Sequence, residues 1–279
     1  MLTPLRVPAS TTRIAVYLRP EDVPGWAPCG HVLSPFAWIR HLNRVVAQTP
    51  VVFAGEEPAL YSGFYTLLEG LRPDMDIEIE TALGFDFDDW LQRVPPERFD
   101  AARPAPVFRA RFDPRSMDAD EAIERALLLQ GAGFSISLRV MLVPTHKAEA
   151  LGAAERARAA GLDAATEPFF GRVDGRLFGQ YTYRSACLGA HHPVTCRSTQ
   201  VLIAPDGGVF GCHHHLLAGV PPVAWLSEDH ARLALPAQPC DAFGDCEPRD
   251  VAVTVDQRGH LVRPPVEITP RRRQRRAAS

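Results

Sequence analysis

Between residues 13 and 168 the hydrophobic positions alternate between short apolar runs and stretches of helical period. Arg13-Ile-Ala-Val-Tyr-Leu18 is an apolar run closed by Pro20 and predicts a buried strand. Ser34-Pro35 is a helix start, with Ser as N-cap and Pro in the first helical position. Phe36, Ile39, Leu42, Val45 and Val46 follow at helical spacing. Val51-Val-Phe53 predicts a second strand with a turn at Gly55, and Leu60, Phe64, Leu67, Leu68 and Leu71 mark a second helix face. Ile77-Glu-Ile79 predicts a third strand, Phe85 to Arg93 a short helix, and Val107 to Asp113 a fourth strand. Asp120 to Leu129 reads as a helix stopped by Gly131 and Gly133. Ser135 to Val143, the Ala-rich stretch Lys147 to Ala160 and Asp163 to Glu167 complete the series as strand, helix and strand. This order implies an α/β fold, a parallel sheet with helices outside it. Six such units make an open barrel or a doubly wound sheet, and the pattern alone does not choose. Either way ligands bind at the C-terminal ends of the strands.

After about residue 170 the texture changes. Pro, Gly, Cys and His become dense. Thr199 to Ala204, the turn Pro205-Asp-Gly-Gly208 and Val209 to Cys212 predict a hairpin, and Ala224 to Leu235 a helix. The organisation expected is a sheet domain over 1–170, a small Cys-rich domain over 171–260 and a basic, disordered tail over 261–279.

Composition excludes several classes. Of 279 residues, 46% are apolar and 23% charged, which rules out wholesale disorder, collagen and coiled coil. No apolar run reaches membrane-spanning length, and residues 1–13 lack the apolar core of a signal peptide. The expectation is a cytoplasmic protein without a membrane partner. The net charge of −3 argues against a nucleic-acid partner, although Arg271 to Arg276 carries five Arg.

Five of the six cysteines lie in the last 93 residues, which in a reducing compartment points to a metal or cluster more than to disulfides. Cys196 and Cys212 flank the hairpin, which brings both sulfurs to one end, and Cys240 and Cys246 approach from a later loop. Four thiolates suit tetrahedral zinc or one [4Fe–4S] cluster, and ligand type leaves the two open. The runs His213-His214-His215 and His191-His192 offer further donors, but consecutive residues cannot all face one ion. The chain has no phosphate loop, no Gly-x-Ser-x-Gly elbow and no His-Glu-x-x-His helix.

The segment CRSTQVLIAPDGGVFGC (196–212) followed by CDAFGDC (240–246) resembles the SPASM or twitch extension of radical SAM enzymes, the one-cluster twitch form best. VVFAGEEPAL (51–60) resembles the Gly-Gly-Glu-Pro segment after that family's second strand, IEIETALG (77–84) its third strand, and VFRARFDP (107–114) a strand ending in Ser-x-Asp. The resemblance runs over residues 13–250. It implies a partial (βα)6 radical-SAM-like barrel with a small Cys-rich C-terminal domain. It further implies an auxiliary [4Fe–4S] cluster on Cys196, Cys212, Cys240 and Cys246, with Cys187 as a spare ligand. It places Gly55, Glu57 and Cys29 at the SAM site.

The core motif Cys-x3-Cys-x2-Cys is degenerate. With Cys29 as its third position, the other two hold Asp22 and Trp26, and Glu56 replaces the second Gly of the Gly-Gly-Glu-Pro segment. One thiolate is too few for a SAM-cleaving cluster. The expected function is therefore an iron–sulfur accessory in peptide or natural-product modification, meeting a peptide, a small-molecule substrate or a partner enzyme. Two alternatives stand beside it. One is an active radical SAM enzyme whose core cluster is completed by Asp22, His31 or a partner chain. The other is a zinc-stabilised binding module.

Overall fold

The computed structural model describes residues 3–23, 31–99, 106–229, 232–233, 235–255 and 261–270. Six strands run parallel in chain order: β1 (Arg13–Tyr17), β2 (Val51–Ala54), β3 (Ile77–Thr81), β4 (Phe108–Phe112), β5 (Ile136–Leu142) and β6 (Asp163–Pro168). Between them lie α1 (Pro35–Leu42), α2 (Phe64–Gly70), α3 (Phe87–Arg93), α4 (Ala119–Gly131) and α5 (Lys147–Ala159). The register sets apolar against apolar, Ile14 opposite Val51, Val51 opposite Ile77, Ile79 opposite Phe108 and Phe108 opposite Ile136. These residues face the helices and pack with Trp38, Leu42, Phe64, Leu67, Trp90 and Ala126 into the main core. Small side chains let α5 lie close on the sheet through Ala150, Ala153, Ala154 and Ala157, all buried.

The opposite face changes character along the sheet. On β1 and β2 it is apolar, with Ala15, Tyr17, Val52 and Ala54 in a second, smaller core. On β3 to β5 it carries Glu78, Glu80, Arg109, Arg111, Ser137 and Arg139. The period of two explains the arginines of β4, whose Phe108, Ala110 and Phe112 are buried while Arg109 and Arg111 are exposed. Arg13 pairs with Glu80 at 2.7 Å and Arg109 with Glu78 at 2.9 Å.

The C-terminal half builds a small sheet and extends the large one. Strand β7 (Val194–Ser198) belongs to a small antiparallel sheet described below. The hairpin of β8 (Gln200–Ile203) and β9 (Gly208–Phe210) forms as its turn chemistry predicts, and β8 then pairs in parallel with β1, Val201 opposite Ile14. With β10 (Ala224–Trp225) the result is one mixed sheet of nine strands, ordered β10-β9-β8-β1-β2-β3-β4-β5-β6, with β10 and β6 at its open edges. The architecture is mixed α/β with a large central sheet. The hairpin, expected in a separate 171–260 unit, is an extension of that sheet.

Three further expectations are corrected. Helix α1 starts at the Ser34 cap as predicted but stops at Leu42. Val45–Val46 instead forms a short strand parallel to Leu5–Arg6. The face of α1 that is buried is Trp38, His41 and Leu42, whereas Phe36 is 75% exposed. No helix forms among the described residues of 224–235. Ala224 and Trp225 pair with β9, the Trp225 amide bonds Glu228 Oε2 at 3.0 Å, and the Leu226 amide bonds the Gly207 carbonyl at 2.9 Å. Sheet pairing thus takes the amides a helix would need. Residues 266–270, assigned to the tail by composition, form a strand. Among the described residues no helix is long and apolar enough to cross a membrane.

Candidate metal centre

The small sheet sets β7 between two antiparallel partners, β11 (Gln238–Cys240) and β12 (Val266–Pro270). Val194 stands opposite Cys240 and Cys196 opposite Gln238. Cys196 and Cys240 are therefore diagonal neighbours on one face, within side-chain reach. Cys212 follows β9 and caps a short helix, α6 (His213–Leu217), accepting the His215 amide on its sulfur at 3.5 Å. Cys246 ends the turn after β11, where the amides of Gly244 and Cys246 both bond the Ala186 carbonyl, at 3.1 and 2.9 Å. Gly244 is needed there. Its φ is +116°, and a Cβ would come within 3.0 Å of the Ala190 backbone nitrogen.

The structure thus brings the four predicted cysteines to one place from three separate parts of the C-terminal half. Cys196, Cys212, Cys240 and Cys246 line a single pocket with His214, His215, Ala242, Asp250 and Val266. Its free volume is about 20 Å³, room for one water-sized particle. Among the described residues no three His, Cys, Asp or Glu side chains stand in a ready-made single-ion shell. Cys196 and Cys240 are fixed on strands, so closing the four sulfurs onto an ion falls to the segments that carry Cys212 and Cys246.

The thiols are strongly perturbed. Hydrogen bonds from Cys196 and then from His215, whose Nε2 lies 3.9 Å from the sulfur, hold Cys240 well below the ordinary thiol range. That same bond to Cys240, reinforced by burial, drives Cys196 far upward. Burial pushes Cys212 and Cys246 each up to about 12. Four sulfurs this close, beside a carboxylate, cannot all be thiolates without a cation among them. The donor chemistry fits a tetrathiolate centre, whose metal would replace the protons.

Cys187 does not line the pocket. It is buried in the core of the small sheet with Val194, Phe243, Val251 and Ile268, where burial raises its thiol to about 11. His31 is exposed, and Cys29 and Trp26 lie outside the described residues. Gly55 ends β2 with φ of +132°. Glu57 is buried, and its Oε2 accepts the Thr81 hydroxyl at 2.6 Å and the Gly84 amide at 2.7 Å. This carboxylate ties the C-terminal end of β2 to that of β3.

Sequence reasoning missed one polar network. Asp250, in α7 (Pro248–Val251), is 1% exposed and accepts His213 Nδ1 at 2.6 Å, the His213 amide at 2.7 Å and Gln200 Nε2 at 2.6 Å. The other ring nitrogen of His213 meets the Tyr17 hydroxyl at 2.9 Å. Burial alone would raise the Asp250 carboxyl, but His213 and Gln200 outweigh it and hold it below the usual range. The histidine run was the one visible signal. Asp250 sits in an unremarkable PRD and Tyr17 in an apolar strand.

No protein-family model matches the chain, and no curated protein matches it. Among solved structures it is similar to native anSMEcpe with bound AdoMet and a Cp18Cys peptide, at TM-score 0.49 and 12% identity over 78% of each chain. A tagged form of anSMEcpe with bound AdoMet gives TM-score 0.49 at 10% identity, over 77% of this chain and 78% of that one. Streptococcus suis SuiB bound to precursor peptide SuiA gives 0.41 at 11% identity, over 82% of this chain and 64% of that one.

Proposed function

We propose that the chain is an iron–sulfur protein of radical SAM descent. In this reading it holds one auxiliary [4Fe–4S] cluster on Cys196, Cys212, Cys240 and Cys246 and serves a peptide-modifying reaction without cleaving SAM itself. The observation that carries the reading is the meeting of these four thiols in one pocket. The motif resemblance supports it, with GEEP at the end of β2 and the ETALG segment at the end of β3, in the family's order. When bound, such a cluster, with a thiolate on each iron, supplies a one-electron site. The chain's own residues do the rest. Val266 and Ala242 give the pocket an apolar wall, His215 donates toward the Cys240 sulfur, and Cys212 is aimed by the turn into α6. Against SAM cleavage stand the single thiolate of the 22–29 motif and the Glu57 carboxylate, which already holds Thr81 and Gly84.

A second reading, a zinc-stabilised module, is favoured by the small free volume between the sulfurs. Iron, zinc and acid-labile sulfide per chain, after anaerobic purification and reconstitution, separate the two. About four iron and four sulfide support the proposal, together with no 5′-deoxyadenosine from SAM and reductant. About eight iron with deoxyadenosine formed makes the chain an active enzyme. Zinc without sulfide establishes the second reading.

A further inference from the structure

Asp250 is an expensive residue to bury. An ionised carboxylate deep in a protein is strongly disfavoured unless its lone pairs are filled, and here three donors fill them. Two of the three belong to His213, one from its main chain and one from its ring. The grip therefore fixes the peptide that follows Cys212, not merely a side chain. Asp250 itself lines the cysteine pocket and is close enough to Cys212 for its charge to be felt there. Tyr17 in β1 holds the far side of the His213 ring, and Gln200 in β8 holds Asp250, so the ring has one orientation. All four side chains are less than a tenth exposed. A satisfied buried network of this kind makes the junction it spans rigid.

We infer that Asp250 is a positioning residue for the metal centre. Through the amide and ring of His213 it directs the Cys212 sulfur into the pocket, and Tyr17 and Gln200 brace the pair from the large sheet. The inference deepens the metal-centre reading and rests on it. Partners that orient a metal ligand from behind carry about 10–100-fold in metal affinity.

Cobalt(II) is the probe, because its thiolate charge-transfer bands count bound sulfurs. The full chain is expected to show four thiolates. Asp250→Ala is expected to show three and to release cobalt to a chelator about 10–100-fold faster. Cys212→Ala is expected to give the same three-thiolate spectrum, and adding Asp250→Ala to it is expected to change nothing further. Val201→Ala, a core loss on the other face of β8, controls for general destabilisation and is expected to keep all four. If Asp250→Ala does not fold, Asp250→Asn carries the same measurements. Four thiolates and an unchanged release rate in the Asp250 variant overturn the inference alone. A wild-type chain that binds neither cobalt nor iron and sulfide overturns the metal-centre reading as well.

Discussion

Cys240 is the residue on which the pocket's electrostatics turn, because it alone among the four is held toward the thiolate while its neighbours are driven toward the thiol. Cys196→Ala removes its hydrogen-bonding partner, and Cys240→Ala removes the one prepared sulfur. Either change breaks the hydrogen-bonded Cys196–Cys240 pair, which Cys212→Ala leaves whole, and is expected to abolish the bound metal, measured as iron or zinc per chain, whereas Cys29→Ala is expected to leave it in place. A second residue-scale prediction concerns Glu80. Burial disfavours its charge, yet Arg13, Arg111 and Arg109 together hold its carboxyl below the ordinary value. A depressed folded value means the pair stabilises the fold above about pH 4.3, the unfolded Glu value. That contribution is lost as pH falls through the lower folded value. Glu80→Gln is expected to cost about 1–2 kcal/mol at pH 7, since Arg13 is partly exposed. The gap between variant and wild type in urea midpoint should close as pH falls through the lowered folded value, and a gap that widens in acid would refute the assignment. At this scale the cysteines were legible because thiols are rare and their spacing frames a hairpin and a turn. Asp250 and Tyr17 were not, because their bonds to His213 span 37 and 196 residues and leave no local pattern.

At the scale of elements, local chemistry decided what was readable. Ser34 before Pro35 announced α1, and the Ser34 hydroxyl does cap the Ala37 amide. Asp118 does the same for α4 with two amides, those of Asp120 and Glu121. Asp118→Ala is expected to cost about 1 kcal/mol, or about 2–4 °C in Tm for a chain of this size. The helix read over 224–235 failed because its amides are claimed by β9 and by the turn at Glu228, a competition visible only once the sheet exists. Leu60 likewise sits in a 3-10 turn, Pro58–Leu60, and is 52% exposed, where apolar spacing alone had placed it on a helix face. The turn that carries Cys246 makes a further prediction at this scale. Gly244→Ala meets backbone atoms of Gly189 and Ala190, which cannot give way as a side-chain tip would. It is expected to loosen the 240–246 turn and speed metal release to a chelator, with the circular dichroism of the large sheet unchanged.

For the whole molecule, the sequence divides near residue 170 in texture, but the sheet does not. Strand β1 lies inside the sheet, and one of its two neighbours, β8, comes from the C-terminal half. Val201, Ile203, Val209, Leu226 and Leu233 are all part of the main core beside Ile14 and Val16. Texture reports composition, whereas pairing is a long-range choice: Gln200 of β8 stands opposite Arg13 of β1, and no short window of sequence contains both. The consequence can be tested by cutting the chain where the texture changes. A fragment of residues 1–170 keeps the parallel strands β1 to β6 and helices α1 to α5, yet it leaves β1 as an open edge and strips the apolar cover from Ala15 and Tyr17. An unpaired apolar edge of this kind promotes strand-to-strand association. The fragment is expected to aggregate or to unfold without a cooperative transition, while the full chain melts cooperatively. The Tyr17–His213 bond makes the same cut costly from the other side, because His213 loses the group that orients its ring and with it part of the aim of Cys212. A fragment 1–170 that is monomeric and melts sharply would show that the two halves are independent, and that the sheet's continuity through β8 is incidental to its stability.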